Sequence, residues 1–124
     1  MMDKLWGAYE ILLSEGDCKV KKIVVNPLKR LSYQSHKKRS EVWVIISGEG
    51  KLTLNDDETM VKPGDILSIP TEAKHRIENI GDSKDLVFIE VQRGTYFGED
   101  DITRYEDDWG RHRDNWNDVD DDLL

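Results

Sequence analysis

The feature that most constrains this chain is a series of short apolar runs, rich in Val and Ile, that recur about every ten residues and end at turn signals. The runs span residues 8–13, 20–25, 41–46, 51–54, 59–61, 66–69, 75–79 and 86–91. Clusters of Gly, Pro, Asn and Asp separate them and supply tight turns. Many short strands at regular spacing are typical of an all-β sandwich or barrel, and no segment predicts a long amphipathic helix.

The charge of the chain is concentrated at one end. The net charge is -8 over 124 residues, and residues 99–124 contain 11 acidic and 3 basic side chains, so the remainder is neutral. An acidic chain of this size argues against a nucleic-acid or anionic-membrane binder and has the length of one domain. We therefore predict one domain over residues 1–113, followed by a short acidic C-terminal extension over residues 114–124.

The cysteine content and the N-terminal residues indicate the cellular compartment to expect. Cys18 is the single cysteine, which excludes an internal disulfide framework and fits a reducing compartment. The N-terminal residues show no cationic segment leading into an apolar run, and no stretch approaches the roughly 18 apolar residues of a membrane span. We therefore expect a cytoplasmic protein that binds neither nucleic acid nor membranes.

Four side chains form a candidate metal site. Gln34 and His36 are two residues apart, so a strand would place both on one face, with Glu41 returning to that face after a bend and His75 arriving from another strand. Two imidazoles, a carboxylate and an amide suit a divalent ion, Zn²⁺ first and Mn, Co, Ni or Fe as alternatives. Taken singly, His36 could instead be an exposed loop residue and His75 a turn cap.

The last apolar run alternates between two faces. Phe88, Glu90 and Gln92 share one face, and Val87, Ile89 and Val91 share the other. The polar pair either lines a cavity inside the barrel or faces solvent on an outer sheet, and the sequence leaves both interpretations open.

A purely basic stretch precedes the candidate metal site. Between residues 19 and 39 there are eight bases and no acid: Lys19, Lys21, Lys22, Lys29, Arg30, Lys37, Lys38 and Arg39. For the first three, a solvated face is the favoured interpretation. Arg30 and the cluster of Lys37, Lys38 and Arg39 are predicted to bind a phosphate group, joined by Arg76 beside His75.

The aromatic residues have mostly structural interpretations. Trp43 is predicted to lie in the core, and Tyr33 and Tyr96 are candidates for the pocket wall. Trp6 is a candidate for packing across a homodimer, since exchanged edge strands are one way in which a small β domain covers its edges.

The motifs resemble a known family. Gly48, and then Gly64, Pro70, His75 and Asn79, are spaced like the two cupin motifs, which implies a double-stranded β-helix, the jelly-roll barrel. More narrowly, residues 6–111 resemble the cupin domain of type II mannose-6-phosphate isomerases, often the C-terminal part of a bifunctional mannose-1-phosphate guanylyltransferase/isomerase. The matching stretches are WGAYE (6–10), LSYQ (31–34), RSEVW (39–43), IP (69–70), HRIEN (75–79), IEVQRG (89–94), EDDITR (99–104) and EDDWGR (106–111).

The chain departs from the family pattern at several positions. Gln34 stands where the first motif usually has a histidine, and Glu72 where the second usually has glycine. Lys37, Lys38 and Val42 also replace family histidines, although the four candidate metal ligands survive these changes. No Gly-rich pyrophosphorylase loop precedes Trp6, so guanylyl transfer is not expected from this chain alone.

The resemblance implies a metal-dependent isomerase that interconverts mannose 6-phosphate and fructose 6-phosphate. The resemblance points to Arg39 as the proton-transfer base, although an arginine fits electrostatic stabilisation better. Glu90 is chemically the easier base, and Gln92 beside it is a candidate substrate-binding residue. The alternative is a non-catalytic cupin that binds sugar phosphates or sugar nucleotides beside a separate guanylyltransferase. An oxygenase would need more histidines and an apolar pocket. A homodimer is expected.

Overall fold

The computed structural model describes residues 2–108, except for the side chain of Glu99. The end of the last family motif, at residues 109–111, and the predicted acidic extension lie outside the described residues. The described part contains these strands and a 3₁₀ helix at Glu99–Asp101: β1 (Met2–Lys4), β2 (Gly7–Glu15), β3 (Cys18–Val25), β4 (Tyr33–His36), β5 (Arg39–Ser47), β6 (Gly50–Leu54), β7 (Asp57–Val61), β8 (Ile66–Ile69), β9 (His75–Asn79), β10 (Leu86–Gly94) and β11 (Ile102–Glu106).

The strands form two antiparallel sheets that enclose one interior. The order in the six-stranded sheet is β1-β2-β3-β10-β5-β8, and the order in the five-stranded sheet is β11-β4-β9-β6-β7. This arrangement confirms the predicted all-β fold, a double-stranded β-helix. Within residues 2–108 there is no helix that is both long and apolar enough to cross a membrane.

All eight predicted runs lie within observed strands, and most strands extend beyond the run by one to three residues. Three strands do not appear among the apolar runs: β1, β4 and β11. The polar sequence of β4, Tyr-Gln-Ser-His, lacks the β-branched residues on which the pattern depends, yet all four of its side chains are buried. Gln34 and His36 point inside because they belong to the site described below, whereas Ser35, on the opposite face, is covered by Tyr105.

The interior changes from apolar to polar along the three central strands of the larger sheet. Phe88 on β10 is paired with Ile23 on β3 and Ile45 on β5, and all three are buried. The next inward residue of β10, Glu90, lies between Lys21 on β3 and Trp43 on β5. The inward residue after that, Gln92, lies opposite Glu41 on β5. One end of the barrel is therefore an ordinary core, and the other end is lined with polar side chains.

The burial of Trp43 and Trp6 tests the positions predicted for these two residues. Trp43 is 2% exposed and packs against Phe88, with ring centroids 4.8 Å apart, which confirms its place in the core. Trp6 is only 1% exposed and belongs to the core of its own chain. The prediction that Trp6 packs across a dimer is therefore wrong, because its surface is already used within one subunit.

Candidate functional site

Two histidines and a glutamate meet at the polar end of the barrel. His36 at the end of β4, Glu41 on β5 and His75 at the start of β9 each offer a ligand atom, and these atoms lie within 4.8 Å of one another. All three side chains are buried. The alternative of an exposed His36 is therefore excluded, and His75, although it also contacts the turn before β9, is not limited to capping it. We call these residues the triad.

His75 is oriented by a backbone contact and paired with Gln34. Its Nδ1 lies 3.0 Å from the Ala73 carbonyl oxygen, so Nδ1 donates and Nε2 keeps its lone pair. That Nε2 has no hydrogen-bond partner within the described residues and lies 3.9 Å from Glu41 Oε1. Gln34, opposite His75 across β4 and β9, likewise has a buried Oε1 with no partner there. Both atoms are acceptors that lack a donor.

The Glu41 carboxylate is held in its ionised form. Trp43 Nε1 donates to Oε1 at 3.0 Å, and Arg39 Nε donates to Oε2 at 3.1 Å. Burial alone would raise the pKa of Glu41, but Arg39 and the two histidines of the triad outweigh burial and lower the pKa to about 2. Burial lowers the pKa of His75, which keeps its ring neutral. A carboxylate and neutral imidazoles are the protonation states that a metal ion requires.

Arg39 is part of this cluster. It is 1% exposed, and its Nη2 lies 2.6 Å from His36 Nε2, where the guanidinium can only donate. The backbone at Arg39 is packed tightly against Gly94 at the end of β10: a Cβ at Gly94 would lie 2.2 Å from the Lys38 carbonyl oxygen and 2.8 Å from the Arg39 Cα. Only glycine permits this approach.

Glu90 and Gln92 face the interior, so the solvent interpretation of their strand face is wrong. Both are fully buried, and Gln92 Nε2 donates to Glu90 Oε1 at 2.5 Å. Glu90 Oε2 has no donor against it within the described residues. Burial, and then the Glu41 carboxylate, raise the pKa of Glu90 well above its usual value. Glu90 therefore holds a proton more tightly than an ordinary carboxyl group.

Lys21 also belongs to the polar end, which the sequence interpretation missed. Its side chain is fully buried, with Nζ 4.8 Å from the centroid of the Tyr9 ring, so the prediction of a solvated face is wrong for this residue. Lys21 shares its strand face with Ile23 and Val25, and this alternation was the signal available in the sequence.

The structure places Arg30 and Arg76 away from the triad. Arg76 follows His75 on β9 and therefore points to the opposite face of the sheet. Its guanidinium donates to the Leu31 carbonyl oxygen and to Glu106, and Arg30 forms a two-pronged ion pair with Asp108 at 2.8 Å. Both arginines line a cavity of about 220 Å³ on the outside of the smaller sheet, together with Tyr33, whose hydroxyl donates to Asp56. In this structure the two arginines bind the C-terminal segment.

Lys37 and Lys38 are exposed in the turn between β4 and β5, beside His36. Their backbone N–H groups donate to the Asp101 carboxylate at 3.1 and 2.9 Å. The Lys38 ammonium lies 5.1 Å from the ring centroid of Tyr96, which is itself 41% exposed. The turn therefore presents two ammonium groups next to the strand that carries His36.

The residues at the polar end fit a divalent metal ion. His75 Nε2 and Gln34 Oε1 are buried acceptors without donors, and an ion would satisfy both. The second nitrogen of His75 is fixed by a backbone carbonyl, as is usual for metal-bound histidines. An ion bound through His36 Nε2 would replace the hydrogen bond from Arg39. Nitrogen and carboxylate ligands suit Zn²⁺ and the later transition metals.

The fold and this site together define a cupin domain with a buried His-Glu-His group that could bind a metal. A solved protein from Klebsiella pneumoniae, described as having a double-stranded β-helix domain, superposes with a TM-score of 0.70 over 80% of this chain and 84% of its own, at 23% identity. At that identity the likeness concerns the fold.

Sequence comparison identifies the family. Residues 2–107 match the family model for the mannose-6-phosphate isomerase C-terminal domain, and the chain belongs to that family. The alginate biosynthesis protein AlgA of Pseudomonas aeruginosa is 42% identical over 102 residues, which are 82% of this chain and 21% of that protein. The xanthan biosynthesis protein XanB of Xanthomonas campestris is 41% identical, over 82% of this chain and 22% of its own. The chain thus spans about a fifth of the curated relatives that it matches.

Proposed function

We propose that this domain is a metal-dependent isomerase that interconverts mannose 6-phosphate and fructose 6-phosphate. The observation that carries the proposal is the buried triad with a proton-holding carboxyl group, Glu90, beside it, in a chain of the mannose-6-phosphate isomerase C-terminal family. The names of the relatives refer to alginate and xanthan biosynthesis, so the expected role is to supply mannose-derived precursors, such as GDP-mannose, for polysaccharides. Sugar phosphates and a lone cysteine fit a cytoplasmic setting.

The reaction moves two protons within an open-chain sugar. One leaves C2 and is delivered to C1, and the other passes from the C2 hydroxyl to the C1 oxygen, so the aldose becomes a ketose without an external oxidant. The ion expected at Gln34 and the triad would supply Lewis-acid polarisation of the sugar oxygens.

The residues of the chain then have separate roles. In its ionised form Glu90 takes the proton from C2 at Oε2, because Oε1 accepts from Gln92, and its raised pKa favours keeping that proton until it is returned to C1. Arg39 orients Glu41 through the hydrogen bond from its Nε to Glu41 Oε2. The exposed ammonium groups of Lys37 and Lys38 are the proposed phosphate contacts, and Arg30 and Arg76 would have to release Asp108 and Glu106 to share that role.

The decisive experiment is an assay of the purified chain with mannose 6-phosphate. The protein is stripped with chelator, reloaded in turn with Zn²⁺, Mn²⁺, Co²⁺, Ni²⁺ and Fe²⁺, and fructose 6-phosphate is measured. We expect turnover with at least one ion and none after chelation. Sugar-phosphate binding without turnover under all five ions would instead support a non-catalytic cupin that works beside a separate guanylyltransferase.

We also propose that the chain forms a homodimer through the outer face of the six-stranded sheet. That face is largely apolar for an exposed sheet, interrupted on β3 by Lys22. Its aliphatic side chains lie on β3, β10, β5 and β8: Val20, Val24, Val42, Val44, Ile46, Ile66, Val87, Ile89 and Val91. Homodimer interfaces are more apolar than the interfaces of transient partners, so a second copy of the chain suits this surface best.

Replacing Ile46 with lysine is expected to convert the dimer into a monomer. Ile46 is 51% exposed on this face, so the folded subunit tolerates the change, whereas a dimer would have to bury the ammonium. Light scattering after size-exclusion chromatography gives the mass. Met60→Lys is the matched control, because Met60 is 58% exposed on the other sheet. A wild-type chain that is already monomeric at high concentration would refute the proposed dimer.

A further inference from the structure

Lys21 occupies a position that the roles assigned above leave unexplained. It lies on β3 directly opposite Glu90 on β10, and Glu90 in turn lies opposite Trp43 on β5. Directly opposite inward side chains on neighbouring antiparallel strands have Cβ atoms about 5 Å apart, and a lysine side chain easily spans that distance. The Lys21 side chain therefore begins beside Glu90, on the side away from β5, and its ammonium lies over the Tyr9 ring, near enough for the Glu90 charge to act on it.

The charges around Lys21 indicate what the polar end can bind. Its fully buried ionisable side chains, apart from the histidines, are two acids, Glu41 and Glu90, and two bases, Lys21 and Arg39. Two half-buried bases lie on the same inward faces: Lys19 opposite Gln92 and Arg104 opposite Gln34. Arg39 is engaged by Glu41 and His36. The acids in this set do not outnumber the bases, and a divalent ion would add two positive charges. The loaded interior would then be cationic and would favour a ligand that carries negative charge at this depth.

We propose that Lys21 is a further catalytic residue of this site, and that its ammonium group holds the anionic oxygen that develops on the open-chain sugar when the C2 proton is removed. This inference rests on the proposed isomerase function and adds a residue to it. The enediolate formed at that step carries negative charge on the oxygens at C1 and C2. A cation beside the proton-accepting carboxyl group therefore lies next to the carbon atoms that react.

A purely structural role does not explain a lysine here. Lysine is almost never fully buried, because removing the ammonium from water costs free energy. Burial lowers the pKa of Lys21 to about 7, against the opposing influence of Glu90, so the structure does not favour the charged form. The Tyr9 ring offsets part of that cost through a cation–π contact. An apolar residue would continue the inward row of Ile23 and Val25 without this cost.

Two open-chain ligands separate charge stabilisation from packing. Mannonate 6-phosphate has a carboxylate at C1 and resembles the anionic intermediate, whereas mannitol 6-phosphate has the same chain without that charge. We compare Lys21→Met and Lys21→Arg with Lys22→Met, in which the neighbouring, outward lysine is changed. Calorimetry gives both affinities, steady-state kinetics gives kcat and KM, and metal content and thermal unfolding test the integrity of each variant.

We expect Lys21→Met to weaken mannonate 6-phosphate binding by about 10- to 100-fold, the contribution of one charge-assisted hydrogen bond, and to leave mannitol 6-phosphate within about 3-fold. The constant kcat should fall by a similar factor with little change in KM, because the contact forms in the transition state. Lys21→Arg should recover part of both losses, and Lys22→Met should match wild type.

The outcomes that contradict the inference differ from those that contradict the proposed function. If wild type isomerises mannose 6-phosphate and Lys21→Met does so equally well, or loses affinity for both ligands alike, Lys21 has no charge-stabilising role. If metal-loaded wild type produces no fructose 6-phosphate and binds neither ligand, the proposed function fails and the role of Lys21 fails with it. If Lys21→Met does not fold, Lys21→Arg carries the test, and an equal loss of affinity for mannonate 6-phosphate and mannitol 6-phosphate in that variant would contradict the inference.

Discussion

Replacing His75 with alanine is expected to abolish metal binding and, with it, isomerisation. The variant loses Nε2, a buried acceptor without a donor that faces Glu41, and it loses the ring that the Ala73 carbonyl oxygen holds in place. Residues that merely orient a metal ligand contribute about 10- to 100-fold to affinity, so removal of a ligand itself should cost more than about 100-fold. Fructose 6-phosphate formation should fall to the level of the chelated wild-type protein.

Thermal unfolding supplies a measurement of this effect that does not depend on catalysis. Ligand at about 100 times its Kd stabilises a folded protein by about 2.7 kcal/mol, which corresponds to about 10 °C in Tm for a domain of this size. Wild type should show such a rise with the preferred ion, and His75→Ala should show none. Lys74→Ala is the control, since Lys74 precedes His75 and its ammonium lies over the ring of Tyr105 on the other side of the sheet. A full metal-dependent rise in His75→Ala would show that the ion is bound elsewhere.

The parts of the site that were predictable from sequence are those governed by strand alternation. The two-residue period on β10 placed Glu90 and Gln92 on the face of Phe88, and the buried Phe88 then decided which face was inside. The same period applies to Lys21, Ile23 and Val25 on β3. Lysines are usually exposed, and that expectation led to the prediction of a solvated Lys21. Ile23 and Val25 on the same strand face already indicated that Lys21 points into the core.

Arg76 shows where adjacency in sequence misleads. It is next to His75, and that proximity suggested a shared site, but consecutive residues of a strand face opposite sides of the sheet. Arg76 therefore reaches Glu106 on the outer side, while His75 reaches Glu41 in the interior. The pairing of Arg30 with Asp108 joins residues 78 positions apart, and no local pattern indicates it.

Glu72 illustrates a departure from the family pattern that the backbone explains. The family usually has glycine at this position, and Glu72 adopts φ of 67°, in the left-handed region that favours glycine. Its backbone N–H donates to the His36 carbonyl oxygen at 2.6 Å. This hydrogen bond links the turn before His75 to the strand that carries His36. It also holds Glu72 in a backbone conformation that glycine adopts more easily. The sequence predicted the site but not the backbone contact that connects its two halves.

Replacing Glu90 with glutamine is expected to remove proton transfer while leaving the metal site intact. Glutamine has nearly the same shape, and its carbonyl oxygen can still accept the hydrogen bond from Gln92 Nε2. The atom that replaces Oε2 becomes an amide nitrogen, which cannot accept a proton. General acid–base catalysis contributes about 100- to 10,000-fold, so kcat should fall within that range.

The same experiment decides between the two candidate bases, Glu90 and Arg39. Metal content and the metal-dependent rise in Tm should be unchanged in Glu90→Gln, because Glu90 is not part of the triad. Arg39→Gln is the comparison: the Arg39 guanidinium holds Glu41, so we expect this variant to lose metal affinity together with activity. A guanidinium stays protonated near neutral pH and stabilises charge better than it accepts a proton. Two results together would identify Arg39 as the base instead: Glu90→Gln keeps kcat within about 10-fold of wild type, and Arg39→Gln retains its metal but loses activity. That outcome would contradict the positioning role that the hydrogen bonds of Arg39 indicate.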